Sequence, residues 1–260
     1  MSIGTAMKVY EDESEFDALN KSSETAIAMR ENWDGEEFSE LDLIRVKTPA
    51  DGNLIWQVNS VSGIEHLEAI EGICVFKAYK GLIWPTLEQT KETKRPVVVS
   101  NDLRYGKLSI PREEVPPEMM EELDLREIEG QPGVYKWDEL PYTQWGTGKN
   151  EVGKYAKEHM LLFILRKGEC LPLFIQVGAG SLGDMRVFFK RMQNVPYYRA
   201  VLSLKLKEAT SKGGVKYSKI VPQLIAKLSP ELGERVVSEY RDRLKDSHEK
   251  GMINLNEDDE

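Results

Sequence analysis

From Leu41 to Leu228 the chain is cut into short apolar runs by Gly, Pro, Asn and Asp, and that punctuation limits what it can become. LIRVK (43–47) and LIWQV (54–58) flank Thr-Pro-Ala-Asp-Gly-Asn, where Pro49 and Asp51-Gly52 favour a turn. The runs at 71–84, 95–100, 134–137, 159–166, 171–177, 199–209 and 217–228 are also strand-like in length and β-branched or aromatic content. Pro222 assigns the last of them to an edge or a bulge. Helical signals are few: a thin stripe within 13–31, a short stretch in the Pro- and Glu-rich insertion 111–133, and 181–194. The clearest covers 229–251, where Ser229 caps, Pro230 follows, and Leu232, Val236, Val237, Tyr240 and Leu244 recur at helical spacing before Gly251. About eight short strands with long polar insertions predict a mostly β chain, an OB-like β-barrel with α decorations. The expected organisation is an acidic extension (1–40), the barrel domain (41–228) with its acidic insertion, the C-terminal helix (229–251) and an acidic tail (252–260).

Charge narrows the partners. The net charge is −9 over 260 residues, but it is segregated. Residues 1–42 hold 12 Asp/Glu and 3 Lys/Arg, and residues 110–141 hold 10 and 3. Residues 142–227 reverse the balance, with 15 bases and 5 acids. Screening over about 10 Å lets such regions act separately. No apolar run is long enough for a membrane helix and no signal peptide opens the chain, so no membrane partner is expected. Two cysteines, Cys74 and Cys170, give no disulfide framework and point to a reducing cytoplasm.

One stretch competes for a different function. Strand-like LPLFIQV leads into Gly178-x-Gly180-x-x-Gly183 and a helix, the outline of a dinucleotide fingerprint. A working fingerprint also needs a β-α-β unit and an acid about 20 residues on. Here Pro196 ends a short helix, Glu208 comes late, and no preceding segment alternates strand with crossover helix. A turn with permissive glycines is the better reading, and no cofactor is expected. A nucleotide-cofactor enzyme using Gly178–Gly183 stays as the alternative. His66, His159 and His248 are scattered without ligand spacing, so no metal site is expected. Ser181 lacks a nucleophile elbow, and no catalytic constellation emerges. A non-enzymatic role is expected.

Aromatic residues interleaved with basic ones form the strongest pattern. Single-stranded nucleic acid stacks its bases on aromatic faces while Lys and Arg follow the phosphates. Candidate backbone contacts are Lys77, Lys80, Arg104, Lys149, Lys154, Lys157, Arg186, Lys190, Arg199 and Lys205. Candidate stacking residues are Tyr79, Trp84, Tyr105, Trp137, Tyr142, Trp145 and Tyr198. The terminal acids Glu257, Asp258, Asp259 and Glu260 could compete with DNA for a basic groove and dock partner proteins.

These residues resemble a family of phage and mobile-element proteins, the single-stranded-DNA-binding, replication-associated kind. Gly72-Ile73 followed by Tyr79 and Trp84 is similar to one of its strand pairs. Pro141-Tyr-Thr-Gln-Trp145-Gly-Thr147, then Gly153-Lys154 and Leu161–Leu165, is similar to its Pro-aromatic-Gly-Ser … Gly-Lys element. Leu171-Pro172, Ser181-Leu182 and Phe188-Phe189 match a third element, and Val201–Glu208 and Gly213-Gly214-x-x-Tyr217-Ser218 also fit. The resemblance spans Asp42 to Leu228. It implies coating of single-stranded DNA in bacteriophage-type DNA replication or recombination, in the host cytoplasm, with replication or recombination proteins meeting the acidic tail. Homo-oligomerisation, and a replication adaptor that binds proteins instead of DNA, stay open. Relatives often carry Cys-x-x-Cys where this chain has Trp137 and Leu140, which replaces a metal knuckle by an apolar contact.

Overall fold

The computed structural model describes residues 7–12, 14, 16, 19, 24–32, 42–60, 62–85, 95–148, 151, 153–211 and 213–250. The first elements are β1 (Lys8–Tyr10), α1 (Glu24–Asn32), β2 (Arg45–Lys47), β3 (Trp56–Ser60), β4 (Gly63–Leu67) and β5 (Ala69–Ile83). Next come β6 (Val98–Ser100), β7 (Tyr105–Leu108), α2 (Pro117–Glu122), β8 (Glu127–Ile128), β9 (Gln131–Lys136) and β10 (Lys157–Leu165). The chain finishes with β11 (Leu173–Val177), α3 (Ala179–Arg191), β12 (Ala200–Thr210), β13 (Lys216–Leu228), α4 (Pro230–Val236) and α5 (Asp242–Glu249). A π-helical turn, Val237–Arg241, joins the last two. The chain is mostly β, and it divides into two compact units. Among the described residues, the first holds those up to 77 and from 161 to 250, and the second those from 78 to 160.

In the first unit the strands pair in the order β2-β11-β10-β5-β12-β13-β1. β12 runs antiparallel to β5 and β13, whereas β1/β13 and β2/β11 are parallel, so the sheet is mixed. Among the described residues the path does not close, and the expected OB-like barrel gives way to an open sheet. Closure needs the end strands to pair, and β1 and β2 are three-residue strands that each pair with one neighbour.

Gly72–Phe76 of β5 and Leu161–Leu165 of β10 are buried residue after residue, the pattern of strands covered on both faces. A Cβ on Gly72 would lie 2.3 Å from the Leu165 carbonyl oxygen, so only glycine lets these backbones approach. Rings of Phe174, Phe163 and Phe76 follow one another at 5.1 and 5.5 Å, and His248 of α5 continues the row at 6.1 Å. Trp56 of the β3–β4 hairpin is fully buried, and its Nε1 donates to the Leu204 carbonyl at 2.8 Å.

The C-terminal helix begins as its sequence requires. Ser229 Oγ accepts from the Leu232 amide at 3.3 Å, and Pro230 fills the first position. Leu232, Val236, Tyr240 and Leu244 face the core at four-residue spacing. Such spacing drifts around a 3.6-residue helix, and the π turn takes up the excess. Tyr240 OH donates to the Cys170 carbonyl at 3.0 Å.

The second unit is an antiparallel meander in which the end of β5 pairs with β6, β6 with β7, β7 with β9 and β9 with β8. Its core gathers Ile83, Val98, Tyr135, Trp137 and Leu140, closed by Met119 and Leu123 from the acidic insertion. Trp137 and Leu140, the pair at the metal-knuckle positions, thus lie in one apolar cluster. A Cβ on Gly81 would meet the Trp137 ring at 2.4 Å.

Replacing Trp56 by alanine should destabilise the protein by about 3–5 kcal/mol, since it removes a fully buried indole and strands the Leu204 carbonyl. Urea denaturation followed by circular dichroism measures this; a loss under about 1 kcal/mol would show that the hairpin is not anchored by this residue.

Candidate nucleic-acid interface

The glycine motif resolves first. β11 runs into Gly178, which caps α3 without a side chain. α3 leads through the turn Tyr197–Arg199 to β12, which neighbours β5 and β13; β11 instead lies between β10 and β2. β11 and β12 are thus not neighbours in the sheet, whereas a dinucleotide fingerprint joins neighbouring strands. Gly180 has a packing reason: a side chain there would meet the Tyr217 ring at 2.6 Å.

α3 instead guards an edge. Beyond β12, β13 pairs with β1 only at Ala226–Leu228. Nearer its start, the Ile220 amide donates to Ser181 Oγ at 2.9 Å, so a helix hydroxyl satisfies an edge N–H. Pro222 sits on this same edge, where its missing donor costs nothing.

The register then concentrates positive charge. Lys207 lies directly across from Lys219, and Lys205 across from Val221. Like charges facing each other on neighbouring strands destabilise a sheet. Lys219 is relieved by Asp184 of α3 at 2.8 Å, an ion pair that raises the lysine pKa. Lys205 and Lys207 are exposed and make no ion pair among the described residues. On α3, Lys190 and Arg191 are exposed beside Val187 on the outer stripe, and Arg186 is half-buried. Residues 161–227, all in this unit, carry 12 Lys/Arg against 3 Asp/Glu.

At the far end of α3 the basic face meets aromatic rings. Lys77 Nζ lies 5.2 Å from the Phe189 ring centre and 5.1 Å from that of Tyr197. Burial lowers the Lys77 pKa and raises that of the Tyr197 phenol. Tyr197 and Tyr198 meet edge to face at 5.7 Å. Arg241, presented by the π turn, donates from Nε to Tyr197 OH at 3.1 Å and lies 5.1 Å over the Tyr198 ring. Phe189, Tyr197, Lys207, Lys219 and Arg241 were not among the candidates. The Tyr-Tyr-Arg run carried the signal for Tyr197; Arg241 had none beyond its place on the helix.

Of the candidates, the first unit therefore brings Lys77, Arg186, Lys190, Tyr198 and Lys205 onto α3 and the strands beside it. Arg199 belongs elsewhere: its Nε and Nη2 both donate to the Leu228 carbonyl, at 3.0 and 2.8 Å, and its stem packs on Gly233. This half-buried side chain ties the end of β13 to α4, with two guanidinium donors engaged by the Leu228 carbonyl.

The second unit holds the others. Trp137 is 1% exposed, with Nε1 donating to Glu158 at 3.0 Å, and Trp84 is 8% exposed. Both are buried and are corrected from stacking platforms to core. Lys80 is 3% exposed and donates to Asn101 Oδ1 at 2.9 Å; burial pulls its pKa down to about 8. It too leaves the interface. Tyr79 is half-buried. Tyr142 packs at a tilt against Tyr155, ring centres 4.7 Å apart, and donates to Glu122. Lys154 is bound to Glu158 at 2.9 Å, while Arg104, Tyr105, Trp145 and Lys157 are exposed. Lys149 and the tail residues Glu257, Asp258, Asp259 and Glu260 lie outside the described residues.

Among the described residues no group of three or more His, Cys, Asp or Glu is placed to hold a metal, and no helix is long and apolar enough to cross a membrane. No family model matches the chain, and no curated protein or solved structure matches it either.

Lys80 gives a pH prediction with a defined sign. Its folded pKa of about 8 lies below the ordinary 10.5, so the unfolded chain binds the proton more tightly between those values. Stability should rise with pH from about 8 to 10.5, and the burial cost is fully present below 8. Lys80→Met should therefore stabilise the protein at pH 7 by on the order of 2 kcal/mol, after the lost Asn101 bond, and flatten the alkaline rise. Urea midpoints from pH 7 to 10.5 decide it; an unchanged slope in the variant would rule out Lys80 as its source.

Proposed function

We propose that this protein binds single-stranded nucleic acid, most simply the single-stranded DNA of phage-type replication or recombination, and does so without catalysis. The basic tract of the first unit carries the binding. The single observation behind this reading is Lys207 facing Lys219 across β12 and β13 beside a helix that exposes Lys190 and Arg191. Asp184 offsets Lys219, and the exposed Lys205, Lys207, Lys190 and Arg191 leave a cluster of positive charge for a phosphate backbone. Phosphates would follow Lys205, Lys207, Lys190 and Arg191, and Tyr198 with Tyr197 would offer ring faces at the end of that path. An OB-like barrel would offer such a surface on closed strands; here an open mixed sheet offers it. The resemblance to phage and mobile-element single-strand binders supports the same reading, and the acidic tail fits it as a competitor for the basic tract and a contact for partner proteins.

Titrating fluorescent oligo-dT, duplex DNA and NAD(P) at two salt concentrations tests it. Oligo-dT should bind tightly and weaken steeply with salt. Lys207→Glu and Lys190→Glu should each weaken binding about tenfold or more and reduce the salt slope by about 1. Absence of oligo-dT binding at low salt overturns the proposal, and saturable NAD(P) binding would favour the cofactor reading instead.

A further inference from the structure

The β12–β13 ribbon outreaches the sheet that holds it. β12 pairs with β5 only as far as Lys205, opposite Ala69, whereas its pairing with β13 continues to Thr210, opposite Lys216. Residues 206–210 therefore extend as one side of a two-stranded arm, roughly 16 Å long at the usual strand rise. The root of the arm is held. Ser218 Oγ donates to the Asn53 carbonyl at 2.7 Å, the Glu208 stem lies against Gly52, and the Tyr217 ring lies against Gly180. The turn is braced as well. Ser211 N–H donates to the Val215 carbonyl at 2.9 Å, the Gly214 amide to the Ser211 carbonyl at 3.0 Å, and the Val215 amide to Ser211 Oγ at 3.1 Å. Gly214 takes φ +80°, a conformation that favours glycine.

At this turn Val215 is 66% exposed, the most exposed large hydrophobic residue described in the first unit. A lone exposed valine would need no account, but its place does. The Ser211–Val215 bond adds one pair to the ladder, so strand alternation sets Val215 on the face that carries Lys207 and Lys219. Residues 203–219 hold five Lys and one acid, Glu208, which is bound to Lys216 at 3.1 Å. The tip is thus an apolar point on a positively charged arm. Thr210, Ser211, Gly213 and Gly214 around it are exposed and polar or small. One valine in such surroundings is far too little for a protein interface, which buries about 800 Å² per partner. It is enough to cover part of one base face, and the lysines beside it match a phosphate backbone. Valine has no ring on which the bases of a flexible strand can stack. A branched aliphatic tip acts instead as a wedge, at a step where a base face is open. The end of a duplex, where pairing stops and a single strand leaves, presents such a face.

We infer that the β12–β13 tip recognises the junction between duplex and single-stranded nucleic acid, with Val215 set against the open face of the last base pair and Lys205 and Lys207 along the departing strand. This rests on the nucleic-acid reading above and adds to it the form of nucleic acid preferred. The braced turn holds the wedge in shape before binding, which lowers the ordering cost. Binding then starts at the edge of a duplex and continues along the single strand over the basic tract.

Fluorescence anisotropy on the full-length protein tests it with oligo-dT, a blunt duplex, and the same duplex carrying an oligo-dT overhang. The parent should bind the overhang duplex about tenfold tighter than either of the others. Val215→Ser should abolish that preference while its oligo-dT affinity stays within about twofold of the parent's, and Val215→Leu should keep the preference. 2-Aminopurine placed in the last base pair should change its emission on binding the parent and not on binding Val215→Ser. Equal, measurable affinity of the parent for overhang duplex and oligo-dT overturns the inference and leaves the nucleic-acid reading standing. A preference that survives in Val215→Ser does the same. Absence of binding to every nucleic acid overturns both. Flotation with phosphatidylserine vesicles covers the other occupant: Val215-dependent vesicle binding without binding to the overhang duplex overturns the inference by assigning the tip to a membrane surface.

Discussion

The ring of Tyr217 occupies the space that any side chain at position 180 would need, and the Ile220 amide reaches Ser181 one residue further along. Together they lock the first turn of α3 against β13. The rest of the first unit's surface depends on this lock. Asp184 is set on Lys219, the outer stripe of α3 turns Lys190 and Arg191 to solvent, and Phe189 arrives beside Lys77. A helix docked half a turn differently would bury the cations or leave the edge of β13 unsatisfied. The Gly178–Gly183 motif is therefore an anchoring device, with Gly180 chosen by the neighbouring aromatic ring.

Charge is partitioned in a way that a net value of −9 conceals. The stretch that builds α3, β12 and β13 is strongly basic, while the insertion 111–133 is acidic. Opposed lysines on adjacent strands are a locally unfavourable arrangement that Asp184 offsets only at Lys219. Natural sequences keep such local conflicts where a ligand compensates for them.

Much of the fold was legible because its signals are local. The strands at β5, β10, β11, β12 and β13 follow from short apolar runs, and the C-terminal helix from Ser229, Pro230 and its periodic apolar face. β4 and β7 escaped notice because Gly63–Leu67 and Tyr105–Leu108 are polar, largely exposed stretches with little apolar content. Barrel closure could not be read from strand count, since it depends on how the end strands pair. The interface was half legible. Interleaved aromatics and bases are visible in sequence, but which face of a strand they occupy is not, and a shift of one residue moves a side chain from solvent to core. Lys80 fell on the inner side of β5 and Lys205 on the outer side of β12. The Lys207–Lys219 pairing depends on hairpin register, and Arg241 on a π turn, neither of which a residue pattern announces.

The central claim is that single-stranded nucleic acid lies along α3 and the β12–β13 lysines. Lysine acetylation footprinting of the full-length protein, with and without saturating oligo-dT and read by mass spectrometry, addresses it most directly. Lys190, Lys205 and Lys207 should be protected by oligo-dT, while Lys136 in the acidic unit keeps its reactivity. Unchanged reactivity at all three, or protection confined to Lys136 and its neighbours, would contradict the account.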